Sequence, residues 1–297
     1  MVLRFEFVRR WSIAALCIAV LSWCSAAGGS FIVIDGFDDG GRTNGADPLD
    51  IAWYRAVNIG SLDAFFDSGA MNSNVLRFTP SLTFVAAVGV LPTTVSLDNV
   101  GDYIELSFDF RYLSTPGNQG SGLRWGIYND AGTPATADDT SSADPNNVAY
   151  NHASKNDFGY YFNLSTGTGT TSHQLWRESG GTSSITAGTD RVQIGATEAT
   201  LPKVTDTAVH SGFLRISRTA AGVNLKAGID NTTYFDQEST GTIYTSFNGI
   251  AFGNAGNNQT VYFDNVRVEA VPEPGALIPT LIALAGLVFY AAGRKAR

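Results

Sequence analysis

The stretch YIELSFDFRY, residues 103–112, alternates without a break. Ile104, Leu106, Phe108, Phe110 and Tyr112 share one parity, and Tyr103, Glu105, Ser107, Asp109 and Arg111 share the other. A repeat of two is the period of a β-strand, whereas a helix would scatter the same residues around its circumference. The segment therefore predicts a strand with one face in a core and the other in water, the arrangement antiparallel sheets allow. FIVI before it, and GLRWGIY, GYYFNL, HQLWRE, GFLRISR, VNLKAGI and VYFDNVRVE after it, give further strand signals between clusters of Gly, Asn, Asp, Ser and Thr. GFLRISRTAAGVNLKAGID reads as a hairpin turned at residues 220–222, with Phe213, Arg215 and Ser217 on one face and Leu214, Ile216 and Arg218 on the other. Nothing between the termini reads as a long amphipathic helix, so the expected class is all-β and antiparallel.

The two ends are of another kind. Arg4, Arg9 and Arg10 precede an apolar stretch over residues 11–23, and the small residues of CSAAGG follow. That order is a secretory signal peptide, a helix-forming leader spanning residues 1–27 with cleavage after Ala26 or Ala27. In LSWC the bulky Trp23 stands where a lipid-anchor motif requires a small residue, which argues against acylation of Cys24. At the other end, residues 276–292 carry no charge, and a helix of that length spans about 25 Å, short but sufficient for a transmembrane helix. Pro279 falls in its first turn, and Arg294, Lys295 and Arg297 follow it, which places the body on the non-cytoplasmic side.

Pro272, Glu273 and Pro274, then the apolar segment, then Arg294 and Lys295, resemble the tripartite PEP-CTERM sorting signal of Gram-negative bacteria. The resemblance covers residues 271–297 and implies an exosortase-type membrane protease as partner. It implies a transient stay in the inner membrane, cleavage near the Pro-Glu-Pro motif and release to the cell surface or matrix alongside exopolysaccharide. The hairpin, then GIAFGNAG, then YFDNVRVE resemble the concanavalin A-like and laminin-G-like jelly-roll β-sandwich of lectins and several glycan-active enzymes. This implies one jelly-roll domain over residues 28–270, and a fold alone does not give a function.

Without the two ends the body keeps 13 basic and 25 acidic side chains, a net charge of −12. Such a surface repels nucleic acid and anionic membranes. Cys17 and Cys24 both lie in the leader, so the body has no disulfide to draw on. The stretch DGFDDGGRTNGADPLD, residues 35–50, is rich in the hard oxygen ligands that Ca²⁺ takes. By resemblance to jelly-roll carbohydrate-binding modules, where a structural Ca²⁺ ties first strand to last, Asp35, Asp38 and Asp264 are the expected ligands; otherwise they cap turns.

Catalytic signals are sparse. The E-x-D-x-x-E strand of jelly-roll glycosidases is absent, and Glu105 and Asp109, four residues apart on one strand face, stand about 13 Å from each other, beyond either glycosidase geometry. LKAG at Lys226 lacks the companion strands of the jelly-roll alginate lyases, and His152, His173 and His210 are too scattered for a zinc pattern. Residues 133–157 read as a long surface loop. The case for glycan binding rests on Arg124, Tyr128, Tyr161 and Asn163 sharing a sheet face with Glu105 and Asp109 beside them, since sugars stack on aromatic rings and hydrogen-bond to planar polar groups; the alternative is that the tyrosines are core. Three readings stand: a non-catalytic, glycan-binding surface or matrix protein; a jelly-roll hydrolase or lyase; and a structural envelope protein.

Overall fold

The alternation at residues 103–112 becomes a strand whose even positions are buried and whose odd positions are half-exposed. The computed structural model describes residues 30–271 apart from residues 44–48, 57–59, 81–83, 118, 140–151, 170–171, 182–184, 187–188 and 256–258. In chain order the strands are β1 (Ser30–Asp35), β2 (Trp53–Arg55), β3 (Ser61–Asp67), β4 (Ser73–Thr79), β5 (Phe84–Ser96), β6 (Tyr103–Tyr112), β7 (Gln119–Asn129), β8 (Phe158–Thr166), β9 (His173–Glu178), β10 (Arg191–Glu198), β11 (His210–Arg218), β12 (Val223–Ile229), β13 (Thr232–Ser239), β14 (Ser246–Ala255) and β15 (Val261–Val271), with one short 3-10 turn at Ala153–Asn156. The expected leader, sorting motif, apolar segment and basic tail lie outside the described residues, which end at Val271. Among the described residues no helix is long and apolar enough to cross a membrane.

Sheet A has eight strands, in the order β13-β12-β11-β6-β15-β4-β3 with β1 added against β15, and sheet B has seven, in the order β10-β9-β8-β7-β14-β5-β2. The registered strand pairs are antiparallel. From β4 to β7 the chain changes sheet at every strand, then extends sheet B through β8–β10 and sheet A through β11–β13, before β14 and β15 return to the interior of each. This is the winding of a jelly roll. The hairpin turns where the sequence indicates: Thr219 N–H donates to Gly222 O at 3.0 Å between β11 and β12.

Aromatic rings from both sheets close the core. Phe252 of β14 stacks on Phe263 of β15 at 4.2 Å between centroids, and Phe108 of β6 meets Phe252 at 4.7 Å and Trp125 of β7 at 5.2 Å. All four are buried, and each such side chain contributes about 1.5–3 kcal/mol by leaving water. The inward set of β15 changes parity along the strand, from Val261 and Phe263 to Val266, Val268 and Ala270. The change falls at Asn265, whose φ of 50° is a left-handed conformation that Asn tolerates better than most residues.

Candidate functional site

The outer face of sheet A is arranged by register. Glu105, Arg215, Lys226 and Asp236 lie in one row across β6, β11, β12 and β13. The next row is Ser107, Phe213 and Gly228, and the next begins with Asp109 and Ser211. Ser107 is too small to fill the space between Phe213 on β11 and the outward residues of β15, and a hollow opens there. It is a groove of about 330 Å³, lined among others by Glu105, Asp109, Phe213, Asn231, Asn265 and Arg267. Gly212 makes this geometry possible from below, because a Cβ there would stand 2.5 Å from the Phe108 ring.

The groove walls are hydrogen-bonded. Arg215 Nε donates to Glu105 Oε2 at 2.6 Å, and its guanidinium lies over the Tyr103 ring at 4.1 Å. Asn265 Nδ2 donates to Asp109 Oδ2 at 2.9 Å, while Tyr103 Oη donates to Glu269 Oε1 at 2.6 Å. Arg267 lies on β15 between those two ties, on the outward side after the change of parity at Asn265, and is exposed. Sequence reasoning picks out Glu105 and Asp109 but not Phe213, Asn231, Asn265 or Arg267. The β15 pair is hidden because the parity set by Val261 and Phe263 would send Asn265 and Arg267 inward, and it changes at Asn265.

Arg124, Tyr128, Tyr161 and Asn163 do share a sheet face, but it is the outer face of sheet B, and the expectation that Glu105 and Asp109 lie beside them is corrected. Leu123, Trp125 and Ile127 of β7 and Tyr160, Phe162 and Leu164 of β8 fill the sandwich core, which sends the residues between them to the opposite side. That side is covered. Tyr128 and Tyr161 are 0% exposed, packed with Ala135 and Ile185 from the flanking loops, so they offer no open stacking surface. Gly126 leaves them room, since a Cβ there would meet Tyr128 Cε2 at 2.5 Å and Tyr161 Cβ at 2.7 Å.

Beneath this cover lies a polar cluster. Glu178 Oε2 accepts from Tyr128 Oη at 2.8 Å and from Thr186 N at 3.0 Å, and Arg124 Nη1 donates to Thr186 O. Arg191 Nη1 donates to Tyr161 Oη at 2.6 Å and lies over the Trp176 ring at 4.4 Å. Burial pushes the Glu178 carboxyl up to about 8. Burial, reinforced by the carboxylates of Asp130 and Glu178, pushes Asp157 up to about 8 as well. Asn163 Nδ2 donates to Gln174 Oε1 at 3.1 Å, and Asn163 is buried.

The described part of the loop at residues 133–157 is also pinned rather than free. Arg42 donates to both oxygens of Asp138, at 3.0 and 2.7 Å, and His152 caps the short 3-10 turn. His173 is buried with Nδ1 accepting from Ser165 N at 3.1 Å, and His210 is held between Asp230 at 2.7 Å and Asp206 at 3.0 Å. Each histidine is thus committed to local structure.

Two of the three aspartates expected to hold calcium, Asp35 and Asp264, have protein partners in this structure. Asp35 accepts from Phe37 N at 3.0 Å and from Trp53 Nε1 at 2.8 Å, so both its oxygens serve the turn and the core indole. Asp264 accepts from Ser73 Oγ at 2.5 Å and Asn265 N at 2.6 Å; burial raises its pKa, and the charges of Asp109 and Asp38 add to that. Among the described residues no three His, Cys, Asp or Glu side chains gather with metal-holding geometry.

No protein-family model and no curated protein matches the chain. Solved structures do resemble it in shape. A Bacillus subtilis protein of unknown function with a galectin-like fold aligns with 82% of this chain and 98% of its own at 13% identity and a TM-score of 0.46. The lectin UEA-II complexed with galactose aligns with 82% and 100% at 10% identity and a TM-score of 0.45. A carbohydrate esterase from Shiga toxin-encoding bacteriophage phi24B aligns with 82% and 100% at 11% identity and a TM-score of 0.43.

Proposed function

We propose that the body is a non-catalytic, glycan-binding module of the cell surface or matrix, and that the open groove on sheet A is its binding site. The observation that carries this reading is the groove itself: a half-buried phenyl ring, Phe213, lines it together with carboxylate, carboxamide and guanidinium groups. Those are the groups that sugars use, with C–H faces on the ring and hydroxyls on planar polar partners. The absence of turnover is argued from Glu105 and Asp109, which occupy β6 about 13 Å apart, too far for a paired acid and base. Glu178 and Asp157, the two carboxyls pushed up to about 8, both lie under cover and cannot reach a polymer.

The same proposal includes export by the leader and processing at Pro272, Glu273 and Pro274, which would release residues 28–271 to a polysaccharide-rich surface. A glycan array probed with that body tests the binding half. Retention of at least one polysaccharide without release of reducing or unsaturated ends is expected; such ends would favour the hydrolase or lyase reading, and no retention at all would favour a structural role.

A further inference from the structure

The groove also discriminates by charge, and this step rests on the glycan-binding reading above. We propose that its ligand is an uncharged, hydroxyl-rich polysaccharide, with Asp109 accepting from adjacent sugar hydroxyls and Arg267 donating to sugar oxygens, and that acidic polysaccharides are excluded.

Glu105 is neutralised by Arg215 at 2.6 Å, and Lys226 faces Asp236 at 3.8 Å, so that row presents no net field. Asp109 is different: its contact is the neutral Asn265 carboxamide, and no cation pairs with it among the described residues. The carboxylates of Asp38 and Asp264 stand close enough for Asp264 to feel both Asp38 and Asp109. Beyond Ser211, whose N–H donates to Asp230 at 3.0 Å, Asp230 and Asp206 add two more carboxylates, with His210 between them as their ionisable partner among the described residues. Against these, among the described residues that line the groove, stands the guanidinium of Arg267. A uronate entering here would meet more negative charge than positive, on a body that is already acidic, and like-charge contacts both weaken binding and slow encounter.

The same atoms suit a neutral sugar. A carboxylate accepts two hydroxyl hydrogens at once, and the Asn265 bond fixes its plane. Arg267 supplies donors, and Phe213 supplies an apolar surface for the sugar's C–H face. Binding of this kind involves no release of counterions, so it should survive salt.

Affinity electrophoresis of the processed body decides it, with gels containing a neutral glucan or a polyuronate at low salt and at about 0.5 M salt, where the Debye length is only a few ångströms. Retardation by the neutral gel at both salts, none by the acidic gel, and loss of retardation in Asp109→Ala with an unchanged melting temperature are expected. Asp109→Asn should weaken retardation by roughly tenfold, because an amide keeps one acceptor and loses the second. Retardation by the polyuronate equal to or above that by the glucan overturns the proposal while leaving glycan binding intact. So does a folded Asp109→Ala that still runs slowly in the neutral gel. Free migration in both gels removes the glycan-binding reading itself.

Discussion

Tyr128 shows how burial changes the meaning of a residue. In sequence it is an aromatic on a strand face, available to a sugar; in the fold its hydroxyl serves Glu178 at 2.8 Å under a roof made by Ala135 and Ile185. Tyr128→Phe should therefore cost about 1–3 kcal/mol, the usual effect of leaving a buried acceptor short of a donor, and thermal melting checks it. Tyr161→Ala should cost about 3 kcal/mol or more through the cavity it leaves. The cluster also sets a pH dependence. Glu178 and Asp157 hold their protons to about 8 in the folded state but release them near the ordinary carboxylate range when unfolded. Their contribution is fully present below about pH 4 and is lost as pH rises to about 8, since the unfolded chain binds fewer protons across that window. His210, raised by Asp230 and Asp206 against the opposing effect of burial, acts in the same direction above its unfolded value. Melting temperature should fall between about pH 5 and pH 8, and Glu178→Gln should flatten the slope; a melt that rises over this range would contradict the assignment.

At the scale of elements, the strands legible in the sequence were those with a clean two-residue period or an aromatic-rich run. β6 and the β11–β12 hairpin appear with the faces their patterns indicate. β5 was not legible, because Phe84–Ser96 is nearly continuous in small apolar residues and contains Pro92, which usually argues against a strand interior. β13, an edge strand, was hidden by its polar composition, and β10 by Gly195 at φ 70° beside a shift in register. The groove shared this limit: Ser107 of β6, Phe213 of β11 and Arg267 of β15 line it together, and no single segment reveals a site that three strands build. β11 carries its part of the site only if Gly212 stays small. Gly212→Ala should destabilise by about 1–3 kcal/mol by pushing the new methyl against Phe108, with the loss visible as a lower denaturant midpoint.

For the molecule as a whole, the compact unit from Phe31 to Ala270 and the chemistry of the two ends carry separate expectations. The ends predict a mature surface form lacking both Trp11 and Phe289, to be read by intact mass; full-length protein confined to the inner membrane would indicate a permanent anchor instead. The body predicts that binding belongs to sheet A and stability to sheet B. One measurement separates them most directly: retention of the processed body on immobilised polysaccharide, for Phe213→Ala beside Tyr161→Phe, with melting temperature recorded for both. Phe213→Ala is expected to lose retention while keeping its fold, and Tyr161→Phe to keep retention. Retention that survives in Phe213→Ala but is lost in a folded Tyr161→Phe would place the site on the covered face and contradict it.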